Sequence, residues 1–246
     1  MIRVLVLGSR GRVGAQILEG VRAASDLELA GEVEEGDDLA AAIARGRPQV
    51  GVDFTTPDAV FGNARTLLAA GVHAVIGTTG LVDAQIDALD ALARKKGLSC
   101  LVAPNFAVGA VLLMRFAEEA ARHFPWVEIV ERHHEKKLDA PSGTARLTAE
   151  RIARVRTTAP VPPRESESAP GARGGRVADV PVHSLRLPGS LAHQEVWFGG
   201  PGETLVLRHD ATDRAVYVPG VLLALRSAGS FAGLRRGLEA VLWPDG

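Results

Sequence analysis

The sequence predicts an α/β protein in two parts: a parallel sheet wrapped by helices, then a smaller mixed α+β domain. Three observations point there. Strand-like and helix-like patterns alternate through the first hundred or so residues. A glycine-rich turn, Gly8-Ser9-Arg10-Gly11-Arg12-Val13-Gly14, follows the first strand and opens the first helix. After Pro104-Asn105-Phe106 the alternation gives way to runs of strands.

Ile2–Leu7 is a β-rich run ending at Gly8, and Val13–Ala24 carries apolar residues at helical spacing. Leu27–Val33 reads as the second strand, Leu39–Arg45 as a short helix and Val50–Phe54 as the third strand. Ala59–Ala70 is helical, His73–Ile76 a strand, Asp83–Lys96 a long helix and Leu98–Ala103 the fifth strand. Such an order needs crossover connections, so the sheet is parallel and covered on both faces. Right-handed crossovers leave the carboxyl ends of the strands on one edge, where open α/β sheets bind ligands.

Beyond Phe106 a helix is expected over Val108–His123, a strand over Trp126–His133 and a helix from Thr144 to Arg156. Residues 159 to 178, rich in Pro, Gly, Ser and Arg, predict a long exposed loop. Strands are expected at Val182–Leu187, Gln194–Phe198 and Thr204–Arg208, in an antiparallel-type sheet. Helices follow at Val221–Ser227 and Leu234–Leu242.

At 246 residues, with 46% hydrophobic and 23% charged residues, the chain has the composition of an ordinary soluble globular protein. A formal net charge of −1 implies neither nucleic acid nor an anionic membrane as a partner. No apolar run is long enough to span a bilayer, and the start is too short and strand-like for a signal peptide. The single cysteine, Cys100, excludes an internal disulfide and fits the reducing cytoplasm.

The glycine turn lets the backbone approach a pyrophosphate, whose charge is favoured at a helix N-terminus. Its spacing, GxxGxxG, is one residue longer than the usual dinucleotide fingerprint, and its strand-to-helix context strengthens it. Glu34, at the end of the second strand, is where an acid accepts hydrogen bonds from ribose hydroxyls. The acids Glu32, Glu34 and Glu35 favour NADH, since they would repel a 2′-phosphate; Arg10 and Arg12 could reach one, which allows dual use with NADPH. Phe54-Thr55-Thr56-Pro57, Gly77-Thr78-Thr79-Gly80 and Ala103-Pro104-Asn105-Phe106 close three further strands with residues suited to a ribose and a nicotinamide.

The stretch Glu128 to Ala145, EIVERHHEKKLDAPSGTA, sets His133 and His134 beside Lys136 and Lys137 and turns through Pro141-Ser142-Gly143. That combination suits a pocket for a small anionic substrate with a proton donor built in. Strand alternation keeps both histidines from one pocket unless the chain bends. Gly143 and Thr144 open the next helix and offer a carboxylate cradle, while Ser142 could cap it. Asp139 reads as a partner for a nearby base.

The glycine loop, GTTG, APNF and E-I-V-E-x-H-H-x-x-K-x-D-A-P-S-G-T-A together resemble the 4-hydroxy-tetrahydrodipicolinate reductase (dihydrodipicolinate reductase) family. The similarity runs over nearly the whole chain, including AHQEVWFG, GETLVLRHD and VPGVLLA. It implies a Rossmann-like dinucleotide-binding domain, residues 1–106 plus 217–246, and a substrate-binding and tetramerisation domain, residues 107–216. It implies NAD(P)H-dependent reduction of a small dicarboxylate on the diaminopimelate route to lysine, by a homotetramer. His133 would be the general acid/base and Lys137 a second donor or electrostatic partner. His134, Ser142, Gly143 and Thr144 would hold substrate carboxylates. The cofactor would lie on Gly8, Ser9, Arg10, Gly11, Arg12, Val13, Glu34, Gly77, Thr78, Thr79, Ala103, Pro104, Asn105 and Phe106. Glu35 stands where a basic residue would favour NADPH.

Three rival readings fit the residues less well. Zinc ligation by His133, His134 and Asp139 lacks any supporting ligand spacing. A semialdehyde-type dehydrogenase would need an activated cysteine, and Cys100 sits inside an apolar strand. A nucleotide sensor would keep the glycine loop but have no use for His133 and Lys137.

Overall fold

The computed structural model describes residues 1–157 and 166–244. The chain divides into two units, Met1–Val108 with Arg214–Gly246, and Gly109–Asp213.

The first unit alternates strands and helices: β1 (Ile2–Leu7), α1 (Gly14–Ala23), β2 (Leu27–Val33), α2 (Leu39–Gly46), β3 (Val50–Asp53), α3 (Pro57–Ala69), β4 (His73–Ile76), α4 (Asp83–Lys96) and β5 (Ser99–Val102). Val4, Leu5, Val6 and Leu7 are fully buried, as a strand covered on both faces requires. β1 pairs in parallel with β2 on one side and β3 on the other, so the strand order reverses there. Such a switch point leaves a crevice at the strand carboxyl ends, where the glycine turn leaves β1.

The helix expected over Leu234–Leu242 is not formed. Gly233–Arg236 is instead a strand that pairs in parallel with β5 and completes a six-stranded sheet, and only Glu239–Leu242 is helical. Pairing decides it: β5 would otherwise be an open edge, and Asp90 Oδ1 accepts the Leu234 amide at 2.7 Å. Gly237, at φ +83°, then breaks the chain direction.

The second unit contains α5 (Val108–Ala120) from its second residue onward, β6 (Trp126–His133), α6 (Gly143–Val155), β7 (Gly175–Val177), β8 (Val180–Arg186), β9 (Ala192–Gly200) and β10 (Glu203–Ala211). Its sheet runs β10-β9-β6-β8-β7 and is mixed: β6 and β8 are parallel, and the other neighbours antiparallel. Of the loop expected at 159–178, residues 159–165 lie outside the described residues, and the far end carries β7. The core side packs Val127, Ile129, Val196 and Phe198 against Ala145, Ala149 and Ile152 of α6 and Leu113 and Ala117 of α5. Trp197 and Val206 sit at alternating positions on the opposite side and remain exposed.

Candidate active site

In the first unit the glycine turn is shaped by exclusion. Gly8 has φ +78°, and a Cβ there would fall 2.6 Å from the Phe54 carbonyl oxygen. A Cβ on Gly14 would lie 1.9 Å from the Gly8 carbonyl oxygen, so α1 can start only against a bare backbone. The start of α1 has no side-chain cap and no acid in its first turn. Arg10, Gly11 and Arg12 are exposed, Val13 half-buried, and Ser9 buried. An uncapped helix start behind a loop with glycine at positions 8, 11 and 14 fits the pyrophosphate of a dinucleotide.

Glu34 holds that loop. Its Oε1 accepts the Ser9 hydroxyl at 2.6 Å and the Arg10 amide at 2.8 Å. One carboxylate oxygen is therefore committed within the protein.

Asp53, at the end of β3, is fully buried. Its Oδ1 accepts the Thr55 amide (3.0 Å), the Thr55 hydroxyl (2.8 Å) and the Thr78 hydroxyl (2.7 Å), and Oδ2 accepts Asn63 Nδ2 (2.9 Å). The Thr78 hydroxyl is thus turned inward, while Thr79 is exposed. Gly77 and Ala103 donate their amides to Asp53 O and Ile76 O in the sheet. Asn105 Oδ1 accepts the Ala107 amide at 2.9 Å, Pro104 is exposed, and Phe106 is buried against Phe54 at a centroid distance of 5.8 Å. Phe106 can therefore meet a ligand only through its backbone.

In the second unit, alternation along β6 puts Glu131 and His133 on the same side as Val127 and Ile129. Glu131 is fully buried, and its Oε2 lies 2.5 Å from His133 Nδ1. Arg186 of β8 grips it with two nitrogens, Nη1 to Oε2 and Nη2 to Oε1, both at 2.9 Å. The Ser142 amide donates to Oε1 at 3.2 Å. Burial alone would push this carboxyl up, but hydrogen bonds from His133, Arg186 and Ser184 outweigh it and hold it at about 2, against an ordinary 4.5.

Arg186 also reaches the following loop, donating to the carbonyls of Lys137 (3.3 Å) and Asp139 (2.6 Å). Lys137 Nζ bonds both oxygens of Asp139, at 2.7 and 2.9 Å. That lysine holds the Asp139 carboxyl below the usual range. The pair is partly exposed, so its net worth is small and a second carboxylate can compete for the ammonium. Ser142 is buried, and its hydroxyl caps α6 by accepting the Ala145 amide at 3.2 Å. Gly143 is exposed, with open space where a Cβ would be; Thr144 and His134 are half-buried. His134 lies just past the end of β6, where its carbonyl accepts the Lys137 amide in a turn.

Glu131, Arg186 and Asp53 are functional candidates that sequence reasoning misses. The available signal for Glu131 is its spacing of two from His133 on a strand. Cys100 is buried, which pushes its thiol up to about 12, so it cannot serve as an activated nucleophile. Two of the remaining histidines have structural partners: His183 Nε2 meets Glu128 at 2.8 Å and His193 Nδ1 meets Asp210 at 2.5 Å.

Residues 2–106 match the family model described as dihydrodipicolinate reductase, N-terminus, and residues 109–242 match that described as dihydrodipicolinate reductase, C-terminus. The chain belongs to the dihydrodipicolinate reductase family. The 4-hydroxy-tetrahydrodipicolinate reductase of Nocardia farcinica is 53% identical to it over 98% of each chain. The enzyme of that name from Mycolicibacterium smegmatis is 49% identical over 98% of this chain and 99% of its own. A solved family structure, dipicolinate-bound dihydrodipicolinate reductase from Paenisporosarcina sp. TG-14, superposes with a TM-score of 0.91 at 40% identity, covering 98% of this chain and 99% of that one. No helix among the described residues is long and apolar enough to cross a membrane.

Proposed function

We propose that the protein is a 4-hydroxy-tetrahydrodipicolinate reductase of the diaminopimelate route to lysine, reducing its cyclic dicarboxylate substrate to tetrahydrodipicolinate with NAD(P)H. The observation that carries this reading is the Glu128–Ala145 segment, with His133 held by a buried carboxylate and Lys137 on a loop tied to it, in a chain about half identical to named reductases along its length.

The bound dinucleotide supplies a hydride from C4 of its nicotinamide. Gly8 to Val13 would receive its pyrophosphate, and Glu34 its ribose through Oε2. Gly77–Thr79 and Ala103–Phe106 would orient the nicotinamide end through backbone groups and the Thr79 hydroxyl. The acid at Glu34 supports NADH, and exposed Arg10 and Arg12 support dual use with NADPH.

The chain's own groups serve the substrate. A conjugated ring that accepts a hydride gathers negative charge and needs a proton, and it loses water on its way to product. His133 donates that proton from Nε2, since Nδ1 is occupied by Glu131. Lys137 leaves Asp139 for the substrate and offsets the growing charge. The Gly143 and Thr144 amides at the start of α6, with His134, receive carboxylates. Ser142 shapes this cradle by capping the helix. The Paenisporosarcina enzyme holds dipicolinate, a ligand of the same dicarboxylate class.

The exposed Trp126, Trp197 and Val206 of the second unit support a subunit interface, hence a homotetramer. One buried thiol without a disulfide partner supports a cytoplasmic location. The deciding test follows NADH and NADPH oxidation while a synthase generates the substrate from pyruvate and aspartate semialdehyde. Substrate-dependent oxidation is expected, faster with NADH. No oxidation with NADH still bound would refute the reductase and leave a nucleotide sensor.

A further inference from the structure

We infer that Glu131 and Arg186 are positioning residues for His133: they hold the ring through Nδ1 and so reserve Nε2 for the catalytic proton. This rests on the reading of His133 as proton donor and extends it to two residues that carry no assigned role.

Glu131 and His133 lie two apart on β6, with their side chains on one side of the sheet, and Arg186 is the direct cross-strand partner of His133 on β8. The Glu131 carboxylate meets donors or ring nitrogen on both oxygens: His133 Nδ1, the two Arg186 nitrogens and the Ser142 amide. A carboxylate so supplied stays ionised, so the proton in its 2.5 Å contact with the ring resides on Nδ1. The ring can then gain or lose a proton only at Nε2. In the reaction, the imidazolium gives its Nε2 proton to the reduced substrate and becomes neutral imidazole with Nδ1–H still directed at Glu131. Solvent restores the Nε2 proton, and no further oxidant or reductant is needed.

Arg186 has a second task. Its bonds to the Lys137 and Asp139 carbonyls tie the loop that carries Lys137 to the carboxylate that orients His133. One guanidinium thereby sets both groups that act on the substrate. A buried Glu–Arg pair of purely structural use would have no need to touch the ring or the loop.

The test compares Glu131→Gln, His133→Gln and the double variant in the coupled assay, with pH–rate profiles and titrations of NADH and dipicolinate. Glu131→Gln is expected to lower kcat on the order of 10- to 100-fold. The shape of its kcat–pH profile should differ from the native one, because the ring loses the carboxylate at Nδ1, while Lys137, Asp139 and Arg186 are unchanged. NADH affinity should stay within about twofold, and adding Glu131→Gln to His133→Gln should cost no more than about twofold further. Native kcat and pH profile in Glu131→Gln, beside an inactive His133→Gln, would overturn the inference alone. So would a double variant in which the two losses simply add. Native turnover in His133→Gln would instead overturn the proton-donor reading and this inference with it. Should Glu131→Gln not fold, Arg186→Lys examines the same pair: it keeps the charge but loses the fork. It should lower kcat several-fold with NADH affinity unchanged, and a native kcat would count against the inference.

Discussion

Asp53 Oδ1 accepts the Thr78 hydroxyl at 2.7 Å, linking the carboxyl ends of two adjacent strands through a side chain with no exposure to solvent. The same oxygen fixes Thr55, and the other takes Asn63. Two of the turns expected to meet the cofactor are thus tied together by one buried carboxylate.

Replacing Asp53 by Asn sets an amide against the Asn63 amide, donor to donor. NADH affinity is expected to fall on the order of tenfold, or ~1.4 kcal/mol. Dipicolinate affinity should not change. Adding Asn63→Asp returns a donor–acceptor pair and should recover most of the loss, as read by fluorescence titration.

Gly14→Ala puts a methyl against the Gly8 carbonyl, a backbone atom that cannot swing aside. A loss of about 2 kcal/mol or more is expected, with a lowered Tm and weakened NADH binding. A Tm and an NADH affinity equal to those of the native chain would refute the packing described for this loop.

Lys137→Ala removes a cation that, among the described residues, pairs with the partly exposed Asp139. Thermal stability should barely move, since such pairs contribute about 0–1 kcal/mol. The ratio kcat/KM should fall on the order of 100-fold, with kcat and KM both affected. An unaltered enzyme would remove Lys137 from the chemistry.

Glu131 also links stability to pH. Its carboxyl is lowered on folding from an ordinary 4.5 to about 2. A lowered carboxyl contributes stability that is present above its unfolded value and lost as pH falls towards its folded one. The contribution, up to about 3 kcal/mol, should be complete at pH 6 and decline between about pH 4.5 and 2. Thermal melts of the native chain and Glu131→Gln should therefore converge as pH falls through that window. A gap independent of pH would show that the carboxylate charge is not what stabilises.

Much of this architecture is written locally. β1, β2, β4, α4 and β6 occupy the residues that periodicity and turn residues indicate, because hydrophobic spacing of two or 3.6 is a property of a short stretch. The exception at Gly233–Arg236 is equally physical. Four residues are too few to display a period, and their conformation follows from the open edge of β5, more than a hundred positions away in the chain.

By itself the sequence determined the two-part α/β architecture, membership of the dihydrodipicolinate reductase family and the segment that carries His133 and Lys137. Each of these is a pattern of neighbours along the chain. Only the tertiary structure decided which partners these residues keep. Arg186 reaches Glu131 across 55 positions, and Thr78 reaches Asp53 across 25. Along the chain, Glu131 and Asp53 look like ordinary polar positions. Their role exists only once a neighbouring strand or turn brings donors to a carboxylate that burial would otherwise forbid.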